Sequence, residues 1–128
     1  MEADLVERLS RPVPRYTSYP TALHFDQSVD TDTYLGWLAA VPGGSNLSLY
    51  VHIPYCTSLC WYCGCNTKAT RRYAPVAEYL EVLLKEIAAV GQRLPSDHRV
   101  SAVHWGGGSP NILSPDDIER LTDALRQQ

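Results

Sequence analysis

Two short β-prone runs, each followed by a loop and then an amphipathic stretch, most constrain how this chain can fold. Leu47-Ser48-Leu49-Tyr50-Val51-His52-Ile53 ends at Pro54, and Arg99 to Trp105 ends at Gly106-Gly107-Gly108. Short runs bounded in this way by proline and glycine read as strands. After the first run, Val76, Tyr79, Leu80, Leu83, Leu84 and Ile87 recur at intervals of three and four, which predicts a helix from Pro75 to Val90. Glu81 and Lys85 are spaced to pair on its surface, Pro75 suits its first turn and Gly91 its end. Ser114-Pro115-Asp116-Asp117 opens a second helix: Ser114 caps, Pro115 takes the first helical position, and Asp117 occupies the acidic place of a capping box. Leu113 is expected to meet Ile118 across that cap, with Leu121 and Leu125 continuing the apolar stripe. Strand, loop and helix repeated twice predict a parallel sheet with functional loops at the carboxyl ends of its strands.

The preceding residues read differently. Pro12, Pro14 and Pro20 interrupt a polar stretch, so residues 1–46 are expected to be a mostly irregular arm, packing through Tyr16, Tyr19 and Phe25, and one short helix. That helix falls at 31–41 with Tyr34, Leu35 and Leu38 on one face, before a break at Val41-Pro42-Gly43-Gly44-Ser45. Residues 47–128 then form the first part of an α/β domain. Two parallel strands alone do not make a stable sheet of this kind. The expectation is therefore the amino-terminal piece of a larger barrel-like domain, incomplete at its carboxyl end. The alternative is a small α+β domain that draws extra strands from the early residues.

Composition narrows the function classes. With 128 residues, 45% of them hydrophobic and 20% charged, the chain suits one modest globular core. A net charge of -3 offers no sequence-wide attraction to nucleic acid or to a membrane surface. MEADLVERLSRPVP is charged and broken by prolines, unlike a secretory signal, and no apolar run is long enough to cross a bilayer. A reducing cytosol is the default expectation. Crowded cysteines there more often hold a metal or do redox chemistry than form structural disulfides.

All four cysteines of the chain lie within HIPYCTSLCWYCGC, residues 52–65. Thiolates are soft ligands that select zinc, copper(I) or iron–sulfur clusters. Structural zinc sites usually draw on two separated pairs, and no second pair exists here. Cys60-Trp61-Tyr62-Cys63 resembles a dithiol redox motif but leaves Cys56 unexplained. A cubane cluster suits three ligands at Cys56, Cys60 and Cys63, with one iron left open to a small chelating molecule. The spacing favours the cluster while leaving zinc and thiol redox open. Cys65 is either a spare ligand or a thiol behind the ligands, and the turn at Gly64 favours the latter. Trp61 and Tyr62 would either keep water from a cluster or cap the barrel end. His52 would either join the core or reach the pocket.

His104-Trp105-Gly106-Gly107-Gly108-Ser109-Pro110 follows the second strand. A glycine triplet is a weak signal alone, but glycine lets a ligand approach backbone groups closely. Loops after successive parallel strands also converge on one site. A backbone carbonyl there could receive a ligand ammonium, and amides with Ser109 a carboxylate. The stretch matches neither the nucleotide-triphosphate loop nor the dinucleotide fingerprint.

Cys56-x3-Cys60-x2-Cys63, the aromatic-rich loop and Gly106-Gly107-Gly108-Ser109-Pro110 together resemble the radical S-adenosylmethionine (SAM) enzymes. Within them, Arg15-Tyr16-Thr17-Ser18-Tyr19-Pro20-Thr21-Ala22, Tyr50-Val51-His52-Ile53-Pro54 and Cys63-Gly64-Cys65-Asn66 are most similar to the oxygen-independent coproporphyrinogen III oxidases. The resemblance runs from about residue 14 to 126. It implies the amino-terminal part of a partial TIM-type barrel, with two βα units preceded by the arm and short helix. It also implies a 4Fe-4S cluster on Cys56, Cys60 and Cys63, with SAM on the open iron, Tyr50 against that SAM and Gly107 at its methionyl part. Tyr62, Gly108 and Ser109 match positions lining a second SAM. Threonine is usual where this chain has Ser109, so the hydroxyl is kept and the methyl is not. Cys65 matches a family cysteine that does not ligate the cluster.

The implied reaction is oxidative decarboxylation of coproporphyrinogen III to protoporphyrinogen IX without oxygen, in a cytoplasmic, monomeric full-length enzyme served by an electron donor such as flavodoxin or ferredoxin. A SAM-derived radical would take hydrogen from the β-carbon of a propionate, and loss of CO2 and an electron would leave a vinyl group. The chain alone is expected to be inactive. Arg15, Tyr19, His52 and Cys65 are the substrate or pocket candidates. Lys68, Arg71 and Arg72 are either a solvated patch or cations meeting an anionic substrate. A haem chaperone-like relative is the nearest alternative, but it typically carries an aspartate-phenylalanine pair in place of Gly64-Cys65. A non-catalytic iron–sulfur protein would need no SAM pocket, and Gly106 to Ser109 weighs against it; a zinc-binding interaction module is the third reading, separable by metal analysis.

Overall fold

The computed structural model of the chain describes residues 4, 7, 8, 10 and 21–128. It divides into two compact units, Met1–Thr31 and Asp32–Gln128. In the first, a 3-10 turn spans Ala22–His24, and Phe25, expected to pack, is exposed instead. Tyr16 and Tyr19, the other two packing residues expected of the arm, lie outside the described residues.

The second unit follows the order read from the sequence. Helix α1 (Thr31–Ala39) leads to strand β1 (Asn46–Ile53), and the two-residue strands β2 (Tyr55–Cys56) and β3 (Lys68–Ala69) bracket the cysteine loop. Helix α2 (Ala74–Gly91), strand β4 (Arg99–Gly107), a 3-10 turn at Pro110–Ile112 and helix α3 (Pro115–Arg126) complete it. α1 buries no residue, and Tyr34, expected on its inner face, is exposed while Leu35 and Leu38 are half-buried.

β1 and β4 pair in parallel, as two consecutive βα units require, with register running from Asn46↔Arg99 to Ile53↔Gly107. The sheet is open and two-stranded. Along β1 burial alternates: Val51 and Ile53 are buried, while Tyr50 is exposed and His52 only half-buried. That alternation gives β1 an apolar face toward the helices and a polar, aromatic face opposite. Val51 and Ile53 join Val76, Leu80 and Leu83 of α2, and Leu113 and Leu121 by α3, in a single buried core. Each such side chain contributes about 1.5–3 kcal/mol on burial.

α3 starts as its sequence predicts. The Ser114 hydroxyl accepts the Asp117 N–H at 3.2 Å, Pro115 opens the first turn, and Asp116 and Asp117 lie where the helix dipole favours negative charge. Leu113 is buried in the core, whereas Ile118, expected beside it across the cap, is exposed. Glu81 differs from expectation as well. It accepts from Arg120 at 2.7 Å, tying α2 to α3 rather than pairing along its own helix with Lys85. Arg120 also donates to Asp117 at 2.9 Å, and the Tyr73 hydroxyl donates to the same carboxylate while accepting the Ser114 N–H at 2.9 Å. The Tyr73 hydrogen bond, with those from Arg120 and Ser114, holds the Asp117 carboxyl below its usual range against the opposing effect of burial. The end of the cysteine segment, where α2 begins, is thereby fixed to the start of α3.

Candidate metal and cofactor site

Parallel pairing places the loops after β1 and β4 side by side. β1 runs through Pro54 into β2, and two backbone bonds close the base of the cysteine loop: Lys68 N–H to Pro54 at 2.9 Å and Thr70 N–H to Cys56 at 2.8 Å. This β2–β3 bridge escaped the sequence reading, because two residues on each side carry no periodicity. The glycine loop is held against the same segment. Gly108 N–H donates to Ile53 and Ser109 N–H to Tyr55, both at 2.8 Å.

The glycines are required by these approaches. Gly107 adopts φ +94, a left-handed conformation costly for other residues. A β-carbon on Gly108 would collide with the Tyr55 carbonyl and come within 2.6 Å of the Thr67 hydroxyl. The last residues of the triplet thus let one loop close over the other.

All four cysteines are free thiols. Cys56 is half-buried where β2 ends, and Cys60, Cys63 and Cys65 are exposed. The backbone turns between Cys60 and Cys63, whose carbonyl and N–H meet at 3.1 Å. Among the described residues no three of His, Cys, Asp and Glu are gathered closely enough to hold a metal ion. The donor set still fits a soft centre, since three thiols at spacings of four and three share one loop whose two ends are pinned together. The loop between those ends is irregular and must draw Cys60 and Cys63 toward Cys56 to bind one. Cys65 stands on the exposed part of the same loop. Trp61 and Tyr62, expected to shield a cluster or cap the barrel end, are exposed.

The Cys56 sulfur meets the Ser109 hydroxyl at 3.6 Å and the Thr67 hydroxyl at 3.7 Å. Sequence reasoning proposed Ser109 but missed Thr67, which bears no signal beyond its place just before β3. His52 is half-buried, with a partner at each ring nitrogen. Its Nε2 lies 2.9 Å from the Asn66 carbonyl, which can only accept, so Nε2–H donates there. In the neutral ring Nδ1 then accepts from the Tyr50 hydroxyl at 3.1 Å. Tyr50, His52 and the end of the cysteine loop are thus linked. Tyr79 donates its hydroxyl to the His52 carbonyl at 2.7 Å, and burial pushes the Tyr79 phenol up, keeping that proton in place. Lys68, Arg71 and Arg72 are exposed after the loop. Arg15 and Tyr19, the arm candidates, lie outside the described residues. Among those residues no helix is long and apolar enough to cross a membrane.

No family model matches the chain. Curated relatives and a solved structure do. The chain is 44% identical over 128 residues to the oxygen-independent coproporphyrinogen III oxidase of Bradyrhizobium diazoefficiens, covering 99% of this chain and 28% of that protein. It is 43% identical over 125 residues to the protein of the same description from Salmonella typhimurium, covering 96% and 26%. The solved coproporphyrinogen III oxidase of Escherichia coli, described as a radical SAM enzyme, superposes with a TM-score of 0.78 at 43% identity, over 88% of this chain and 25% of that one. The chain spans about a quarter of the length of these relatives. Its open sheet and helices match the amino-terminal part of their TIM-barrel-like fold.

Proposed function

The chain belongs to the radical SAM family, related to oxygen-independent coproporphyrinogen III oxidase, and on that premise we propose that a protein of the relatives' full length decarboxylates coproporphyrinogen III to protoporphyrinogen IX without oxygen. The observation that carries this reading is the meeting of the two loops at Cys56, where Ser109 of the glycine loop reaches the first cysteine.

Cys56, Cys60 and Cys63 would hold a 4Fe-4S cluster, and Cys65 would stay outside its ligand set. Bound there, cluster and SAM supply a one-electron reduction and a carbon radical able to take hydrogen from a propionate side chain. The chain's own residues bind and orient. Tyr50, held by His52, would lie against the first SAM with Gly107 at its methionyl part. Tyr62, Gly108 and Ser109 would line the second. His52, by donating to Asn66, fixes where the cysteine loop returns to the sheet. Arg15 and Tyr19 would serve the substrate side of the pocket, and a flavodoxin- or ferredoxin-type protein would supply electrons to a cytoplasmic monomer. The arm and short helix, residues 1–46, would precede the barrel part that begins at 47.

The test is anaerobic incubation of the full-length protein with coproporphyrinogen III, SAM and a reductant, following release of two CO2 molecules per substrate. Stepwise loss of both is expected. Tight haem binding without any decarboxylation would reject the oxidase reading in favour of a haem chaperone. The chain of 128 residues, assayed alone, is expected to form no vinyl product.

A further inference from the structure

Cys56 differs from the other three thiols in what surrounds its sulfur. It alone is half-buried, and among the described residues the hydrogen bonds to a cysteine sulfur are those from Ser109 at 3.6 Å and with Thr67 at 3.7 Å. The two hydroxyls arrive from different loops, each with its backbone fixed independently. Ser109 is placed by its own N–H on Tyr55 at 2.8 Å. Thr67 immediately precedes Lys68, whose N–H is held by Pro54 at 2.9 Å. Ser109 also stands at the start of the Pro110–Ile112 turn, where a serine hydroxyl commonly caps the backbone, and makes no such bond. A β-carbon at Gly108 would lie 2.6 Å from the Thr67 hydroxyl, so the missing side chain there keeps that hydroxyl at the sulfur.

A metal-bound thiolate carries no proton and can only accept, so both hydroxyls must then donate to it. Hydrogen bonds to ligand sulfur withdraw electron density and favour the reduced, more negative form of a cluster. We propose that Ser109 and Thr67 set the reduction potential of the bound cluster through Cys56, by donating two hydrogen bonds to that one ligand sulfur. This rests on the cluster reading above and adds to Ser109 a role separate from contact with SAM.

The experiment is a redox titration of the anaerobically reconstituted full chain, monitored by electron paramagnetic resonance and carried out without SAM. Ser109→Ala and Thr67→Val are each expected to disfavour reduction about tenfold, a fall of about 59 mV for a one-electron couple. Ser109→Thr and Thr67→Ser keep the hydroxyl and should hold the original midpoint. Without SAM present, a serine that serves only as a SAM contact would leave the midpoint unmoved. Midpoints unchanged in both hydroxyl-free variants would overturn the inference while leaving the cluster reading intact. Failure of the unaltered chain to take up iron and sulfide would overturn both. A check independent of any substitution is resonance Raman of the unaltered reconstituted chain in H2O and D2O. An isotope shift in an iron–cysteine stretching mode is expected, and its absence would count against the proposal.

Discussion

The helical side of the molecule and the cysteine loop are built by different means, although the loop springs directly from β1 and is closed at its base by backbone bonds to Pro54 and Cys56. Among the described residues, Val51 and Ile53 of β1, five buried apolar residues of and beside the helices, and the Tyr73–Asp117–Arg120–Glu81 network define a framework. In front, residues 57–67 fold into turns and bends whose three thiols, on Cys60, Cys63 and Cys65, are exposed. Apolar burial stabilises the centre of the first region. The loop has pinned ends but no core of its own, leaving its interior arrangement to whatever its thiols bind. Stability and chemistry therefore sit in separate parts of the sequence, which substitutions can separate.

The largest expected effect is in the framework. Leu80 is fully buried, and Leu80→Ala should lower unfolding free energy by about 2–5 kcal/mol in urea titrations of the metal-free chain. Cys60→Ala, in the exposed loop, should change it by no more than about 0.5 kcal/mol under the same conditions. Comparable losses in the two variants would mean that the loop is part of the folding core.

Much of this framework is legible in the sequence. The three- and four-residue spacing from Val76 to Ile87 predicts α2, Ser114-Pro115 predicts the start of α3, and two successive βα units predict parallel pairing. Periodic burial writes itself into composition, so those elements can be read. Tertiary choices cannot. Lys85 and Arg120 are both plausible partners for Glu81, and only the packing of α2 against α3 selects Arg120. The site is legible in part. Cysteine spacing and the glycine triplet are signals of residue type, whereas the β2–β3 bridge is made by backbone groups that any sequence possesses. Thr67 finds Cys56 only through that bridge, and His52 reveals its role only when Asn66 comes within reach.

A smaller effect concerns the start of α3, within the framework. Ser114→Ala removes the acceptor of the Asp117 N–H and should destabilise the chain by about 1 kcal/mol, measured as a shift in urea midpoint. Asp117 adds a pH dependence. Its carboxyl is held below the usual range, first by the Tyr73 hydrogen bond, so its contribution is present above the unfolded value of about 3.9 and disappears as pH falls through the folded value. Unfolding of Asp117→Asn should therefore differ most from the unaltered chain near neutrality, with the gap narrowing below about pH 4. A gap independent of pH would show that the lost geometry, rather than the charge, matters.

The most direct measurement of the central claim, that three thiols of the loop and not four bind the cluster, is iron and sulfide content after anaerobic reconstitution. Cys56→Ala, Cys60→Ala and Cys63→Ala are each expected to lose the cluster, while Cys65→Ala retains four irons and four sulfides per chain. Loss of the cluster from Cys65→Ala together with its retention in Cys56→Ala would contradict the account.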